Sequence, residues 1–288
     1  MAEPAARSSA THFVVVLLPE PEKILDDKTY YGPMLQGLHE ALLERGFYMR
    51  PVACLHEYQR ERFLDFHSEL YAGAVFLGPV FAFEDFIRKV SERVPGPKVL
   101  LDHRLEGLVA HSVQEDAEAG MRMLTEHLLG LGHRHLAYLE MSNPQANPWK
   151  RQGVNQALRA AGLEPLAHGR VAGCRDNFSD VSAALDWFLT LEPRPSAVLC
   201  ADDIRALLLL QAAAERGLRV PQDLSLTGFG DIAVRTGRSK VLTSVHFDPA
   251  LMGRRAAELI AGGSAAKPTA VLIPPELAVR GTAAAPAG

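Results

Sequence analysis

Short apolar runs and helically spaced apolar positions alternate along this chain. Val14 to Leu18 is a β-branched strand pattern stopped by Pro19, and Met34 to Leu43 places apolar residues at helical spacing before Gly46. The alternation repeats with Tyr48 to Ala53 and Arg60 to Leu70, Ala74 to Leu77 and Phe83 to Val90, and Val99 to Leu101 and Glu115 to Leu129. A second series runs through Leu136 to Leu139, Trp149 to Ala160, Val181 to Leu189, Ala197 to Cys200, Ile204 to Ala214 and Leu224 to Thr227. Strands that alternate with helices and read as apolar runs predict the α/β class, with parallel sheets covered on both faces. Two such series predict two doubly wound parallel-sheet lobes, with the crossover in the Asn, Ser and Pro-containing stretch from Met141 to Pro148. A further helix, Pro249 to Ala261, and short strands near Val271 to Ile273 and Leu277 to Val279 belong to neither series by spacing, and Ala283 to Gly288 is expected to be a frayed tail.

One turn carries candidate chemistry. Asp202-Asp203 lies between the apolar strand Ser196 to Cys200 and the helix beginning at Ile204. Loops after the carboxyl ends of strands are where open α/β sheets bind small ligands, so two carboxylates there suggest a binding site. An aspartate at a strand-to-helix turn also serves as an N-cap, and both roles stand open for Asp203.

Composition narrows the function classes. The chain has 288 residues, 48% hydrophobic and 22% charged, enough for two cores. A net charge of -4 and a pI near 6.3 argue against a bare nucleic-acid-binding surface, so DNA contact would need another segment. Cys54, Cys174 and Cys200 show neither zinc nor disulfide spacing and suit a cytoplasmic protein. No apolar run approaches the roughly 20 residues of a membrane span, and the first residues do not read as a secretory signal. His127, His133 and His135 read as helix and helix-end residues rather than as metal ligands. G-x-S-x-G, P-loop and G-x-G-x-x-G patterns are absent in strand-to-helix context, so an enzyme is not expected, and neither a metal nor a cofactor.

An ordered set of motifs then resembles the ligand-binding region of LacI/GalR-type transcription regulators, from His12 to Thr282. The set includes Val113 to Gly120, Leu131-Gly132-His133-Arg134-His135-Leu136-Ala137, Cys200-Ala201-Asp202-Asp203, Gly217 to Phe229, Leu242-Thr243-Ser244-Val245, Gly253 to Leu259, and Pro274 to Thr282. The resemblance implies a periplasmic-binding-protein-like type I fold: an N-terminal lobe of residues 11–141 plus 249–267, a C-terminal lobe of 142–248 plus 268–283, a multi-strand hinge, and tails at 1–10 and 284–288. It implies a small effector, a sugar or sugar derivative, held between the lobes. It also implies a homodimer using Met34 to Leu43 and Phe83 to Val90, no membrane, and operator DNA reached only through a helix-turn-helix headpiece that this sequence does not contain. Pro4 to Ser8 reads as a remnant of the hinge after such a headpiece. The alternative is a solute-binding protein for a sugar transporter, which would need a signal peptide or lipid anchor.

The resemblance also nominates ligand-binding positions. Asp202 stands where many sugar-responsive members carry asparagine, and Asp203 matches the family aspartate. Lys150, three residues before Gly153, replaces a sugar-gripping arginine, and a point charge in place of a planar fork leaves room for an anionic ligand. Arg151 beside it is a second candidate, and both Lys150 and Arg151 also read as solvated first-turn residues. Trp149 can wall a sugar ring or pack at the hinge. Tyr30 and Tyr31 match an aromatic pair of the N-terminal lobe, and Arg104, in Asp102-His103-Arg104, faces the ligand or pairs with Asp102. Asp231 is retained from a pair of acids whose first member is Gly230 here, and Phe247 takes the place of a polar contact.

Overall fold

The computed structural model describes residues 12–18, 30–64, 71–78, 83–143, 148–166, 170–232, 241–263 and 267–287. In chain order the elements are β1 (Phe13–Leu18), α1 (Tyr31–Glu44), β2 (Tyr48–Ala53), α2 (Glu57–Leu64), β3 (Tyr71–Leu77), α3 (Glu84–Arg93), β4 (Lys98–Leu101), β5 (His111–Glu115), α4 (Ala117–Gly130), β6 (Leu136–Met141), α5 (Pro148–Ala160), β7 (Val171–Cys174), α6 (Phe178–Leu189), β8 (Ala197–Cys200), α7 (Asp203–Glu215), β9 (Ser225–Thr227), β10 (Ser244–His246), α8 (Pro249–Ala261), β11 (Ala270–Ile273) and β12 (Glu276–Ala278). The expected helix end at Leu70, part of the Met141 to Pro148 crossover, and the segment Pro4 to Ser8 lie outside the described residues.

Two compact units divide the chain: residues 1–115 with 248–273, and residues 116–247 with 274–288. The first holds a six-stranded sheet in the order β11-β5-β4-β3-β1-β2, every pair parallel. Its core gathers Val15, Leu17, Phe63, Phe76, Phe86, Ile87 and Val90. Helices α1 and α8 approach closely: a Cβ on Gly37 would lie 2.2 Å from Ala250 O, and one on Gly253 would lie 2.0 Å from Met34 O. That reciprocal need for glycine attaches α8 to this unit although it follows the second unit in sequence. The second unit holds a parallel four-stranded sheet, β7-β6-β8-β9, and a separate antiparallel pair, β10-β12. Val181, Leu185, Phe188, Val198, Leu209 and Leu226 lie at its core.

The division falls between Glu115 and Asp116, not after Met141 as the sequence suggested. Asp116 caps α4 by accepting from Ala119 N at 3.0 Å, and a Cβ on Gly153 of α5 would stand 2.1 Å from Glu118 O, so α4 is packed flat on α5. β6 is flanked by β7 and β8. β11 pairs with β5, Ala270 opposite Ser112, which extends the first unit beyond residue 267. Strands β5 and β7 were not foreseen: His111-Ser112-Val113-Gln114-Glu115 and Val171-Ala172-Gly173-Cys174 lack the apolar run of a central strand.

The end of the chain also departs from expectation. Residues 283–287 are not a frayed tail. Ala284 O accepts from the Ser225 hydroxyl at 3.1 Å and stands 2.8 Å from His133 Nε2, Ala284 N donates to Ser225 Oγ, and Leu226 N donates to Thr282 O at 2.8 Å. The segment thereby satisfies an edge of β9 that would otherwise offer unpaired backbone groups. His133, 1% exposed, is a clamp for this segment rather than a simple helix-end charge.

Candidate functional site

Doubly wound sheets have a switch point where successive crossovers diverge, and ligands bind at the strand carboxyl ends there. In the second unit this point lies between β6 and β8. Lys150, in the first turn of α5 after β6, reaches across it and donates from Nζ to Ala201 O, just past β8, at 2.9 Å. The same ammonium lies 3.7 Å from the centroid of Phe229, which follows β9. Lys150 is 7% exposed, so the solvated alternative is excluded for it. A carbonyl and an aromatic face are both favourable partners for a desolvated cation.

Asp202 is the N-cap of α7. Its Oδ1 accepts from Arg205 N at 2.8 Å and its Oδ2 pairs with the Arg205 guanidinium. Arg205, 5% exposed, also donates from Nε and Nη2 to Cys174 O at the end of β7. The capping role weighed for Asp203 therefore belongs to Asp202. Asp203 is buried one residue inside the helix, accepting from Ser244 Oγ at 2.7 Å and from Ile232 N at 2.6 Å. Burial pushes its carboxyl above the usual range, against the lowering effect of those two donors, with the charges of Asp231 and Asp202 adding to the rise.

Asp231, with φ +47°, pairs with Arg280 Nη1 at 2.7 Å and stands 3.6 Å from His246 Nδ1. Arg280 also donates to Leu242 O. Phe247 is 2% exposed, its ring 5.3 Å from that of Phe229, and both crowd Gly120 of α4. Phe247, nominated in the place of a polar contact, is thus a buried ring packed on Phe229. Arg151 lies 3.9 Å from Glu140 and is half-buried, while Trp149 beside it is 37% exposed.

The first unit presents a different cluster. Tyr30 donates its hydroxyl to Asp102 Oδ1 at 2.6 Å, and Tyr31 donates to Oδ2 at 3.3 Å. Asp102 follows β4 with φ +73°, a left-handed conformation that aspartate tolerates better than most residues and that concentrates at functional sites. Burial, then the charges of Asp102 and Glu115, push the Tyr30 phenol well above its usual range, so it remains a hydroxyl donor. Arg104 is exposed two residues further on. A groove of about 480 Å³ beside α2 and α3, lined by Glu57, Glu61, Glu84, Asp85, Phe83 and Phe86 among others, holds none of the ligand-binding residues that the sequence nominated, although Phe83 to Phe86 belong to the segment expected at the dimer face.

Asp102, Arg205, Phe229, Ser244 and Arg280 were not nominated as site residues. Asp102 stood in the strand-end segment Asp102-His103-Arg104 but only as a partner for Arg104, and the same rule could have drawn attention to Phe229, two residues past β9; the others act through contacts distant in sequence. Among the described residues no group of three potential metal ligands occurs, and no helix is long and apolar enough to cross a membrane.

Comparison with known proteins places these sites in context. The profile of the periplasmic binding protein-like domain matches residues 125–283. The HTH-type transcriptional repressor PurR of Photobacterium profundum is 27% identical over 178 residues, covering 62% of this chain and 53% of the repressor. The chain thus spans about half the length of such PurR relatives. The HTH-type transcriptional regulator CelR of Thermobifida fusca is 27% identical over 279 residues, 94% of this chain and 81% of CelR. A solved CelR–cellobiose complex superposes with a TM-score of 0.78 at 26% identity, covering 94% of this chain and 84% of that one. The chain is similar over most of its length to the transcriptional regulator CelR, and it belongs to the periplasmic binding protein-like domain family.

Proposed function

We propose that this chain is the effector-binding part of a LacI-type regulator, taking a sugar or sugar derivative, and that it works in the cytoplasm as a homodimer. The observation that carries the reading is the buried Lys150 ammonium, held between Ala201 O and the Phe229 ring at the switch point of the second sheet. A hydroxylated ligand suits this setting, because it can accept from an ammonium and donate to nearby acceptors. The Tyr30, Tyr31 and Asp102 cluster of the first unit has the same mixed character, two phenol rings converging on a carboxylate. Likeness to CelR, whose complex contains cellobiose, makes that disaccharide the first probe.

Ligand occupancy would bias the conformational equilibrium of the chain, and control of operator DNA would pass through a headpiece outside it. The homodimer would use the faces of α1 and α3. Calorimetric titration with cellobiose, other disaccharides, monosaccharides and sugar phosphates tests the effector class. Binding at micromolar to millimolar affinity, weakened roughly tenfold by Lys150→Met, is the expected result. No binding across the panel would overturn the sugar assignment, and a response confined to sugar phosphates would shift it to anionic sugars. Light scattering that shows monomer alone at tens of micromolar would overturn the dimer.

A further inference from the structure

We propose that Asp203 is a positioning residue: it does not touch the effector, but fixes the turn of residues 228–232 so that Phe229 lies under the Lys150 ammonium. The inference deepens the reading above and rests on Lys150 being an effector contact. Asp203 holds this turn at both ends. Its backbone N donates to Phe229 O at 3.1 Å, while its Oδ2 accepts from Ile232 N at 2.6 Å. The other oxygen, Oδ1, accepts from Ser244 Oγ, and that hydroxyl in turn accepts from Asp231 N at 3.2 Å. The turn between Phe229 and Ile232 is thus tied to one residue of α7 and, through Ser244, to β10.

Both carboxylate oxygens are engaged and the residue is 2% exposed, so no face of Asp203 is presented to a ligand. The fit is close: a Cβ on Gly228 would stand 2.0 Å from Asp203 Oδ1. Aspartate suits this task because it offers two acceptor oxygens on a short stem. Glutamate would need room that Gly228 does not leave, and asparagine retains only one acceptor for two donors. The adjacent aspartates therefore divide the work, Asp202 capping α7 and neutralising Arg205 while Asp203 sets the aromatic platform. The consequence reaches Lys150 without direct contact, because the 3.7 Å cation–ring distance requires Phe229 to be held in place.

The test reads the platform without any ligand. In protein carrying ¹³C-labelled lysine, the ε-CH₂ protons of Lys150, assigned by their loss in Lys150→Arg, should be shifted upfield by the ring current of Phe229. Phe229→Leu should abolish that shift. Asp203→Ala should abolish it equally while circular dichroism remains native, and Asp203→Asn should restore part of it. Cellobiose affinity should fall roughly tenfold in Asp203→Ala and by less in Asp203→Asn. Where Asp203→Ala does not fold, Ser244→Ala, which removes one of the two donors to the Asp203 carboxylate, should reduce the shift. An unchanged Lys150 signal in a folded Asp203→Ala or in Ser244→Ala would overturn the proposal. A lost signal in a protein that binds no sugar at all would leave Asp203 as the support of the platform and overturn the effector reading instead.

Discussion

The strand-end clusters of the two units solve different electrostatic problems. In the first unit, one carboxylate on a left-handed residue, Asp102, accepts from two phenols, and burial pushes the Tyr30 phenol well above its usual range. In the second, charges of both signs meet, each pair joining a buried group to a partly buried one: Arg205 with Asp202 and Asp231 with Arg280, while Asp203 lies buried among neutral donors. A buried ion pair is costly to break, because removal of one partner leaves an uncompensated charge, whereas loss of a phenol hydroxyl leaves one acceptor short of one bond. The second cluster should therefore behave as a rigid unit and the first as a set of separable contacts.

The largest effect expected from this contrast is at Gly228. Its missing side chain admits the Asp203 carboxylate, and a methyl group would overlap Oδ1 at 2.0 Å. Asp203 cannot swing away without releasing Ile232 N and Ser244 Oγ. Gly228→Ala should therefore destabilise the second unit by about 3 kcal/mol or more, combining overpacking with lost buried hydrogen bonds. Urea unfolding monitored at Trp187 of α6 measures this. A loss below about 1 kcal/mol would mean that the network yields, and would remove the distinction between the two clusters.

The same contrast explains what could be read from the sequence. Parallel α/β layering was legible, because buried central strands such as Val14 to Leu18 and Ala197 to Cys200 are continuous apolar runs. Strands β5 and β7 were not, since their half-polar sequences become strands through pairing with β4 and β6. The unit boundary was hidden because it depends on contacts such as Gly153 with Glu118, which spacing along the chain cannot show. At the site, the strand-to-helix rule nominated Asp202 and Asp203, and the resemblance nominated Lys150, but neither gave their contacts. Which aspartate caps α7 follows from backbone register, and the burial of Lys150 follows from Phe229, far along the chain.

Acid should act on the two units in opposite senses at these positions. His103, beside Asp102, donates from Nδ1 to Leu101 O at 3.2 Å, and its buried Nε2 has no partner among the described residues. Burial lowers its pKa to about 4, against a small rise from the Leu101 carbonyl. The native state therefore prefers the neutral ring, so the stability is intact above the unfolded value of about 6.5 and is lost as pH falls through 4. The full loss is roughly 3 kcal/mol. Asp203 has the reverse sign: with its pKa raised in the native state, its contribution becomes more favourable as pH falls through the raised value. His103→Asn, which keeps a donor for Leu101 O but does not titrate, should flatten the decline in melting temperature between pH 6.5 and 4.5. Asp203→Asn should remove the opposing gain. Parallel wild-type and His103→Asn profiles would show that this histidine does not couple folding to pH.

The smallest effects separate the two tyrosines. Tyr30 makes the shorter bond to Asp102, 2.6 Å against 3.3 Å for Tyr31, and its rise in pKa begins with burial. Tyr30→Phe should therefore cost about 1–2 kcal/mol, the usual penalty for leaving a desolvated acceptor one donor short, and Tyr31→Phe only a few tenths. If the first cluster is separable, the double variant should cost the sum of the single ones within about 0.5 kcal/mol. A coupling well above that value would mean that the two hydroxyls hold Asp102 jointly. The left-handed backbone of Asp102 would then be maintained by the pair, and the first unit, like the second, would respond as one network.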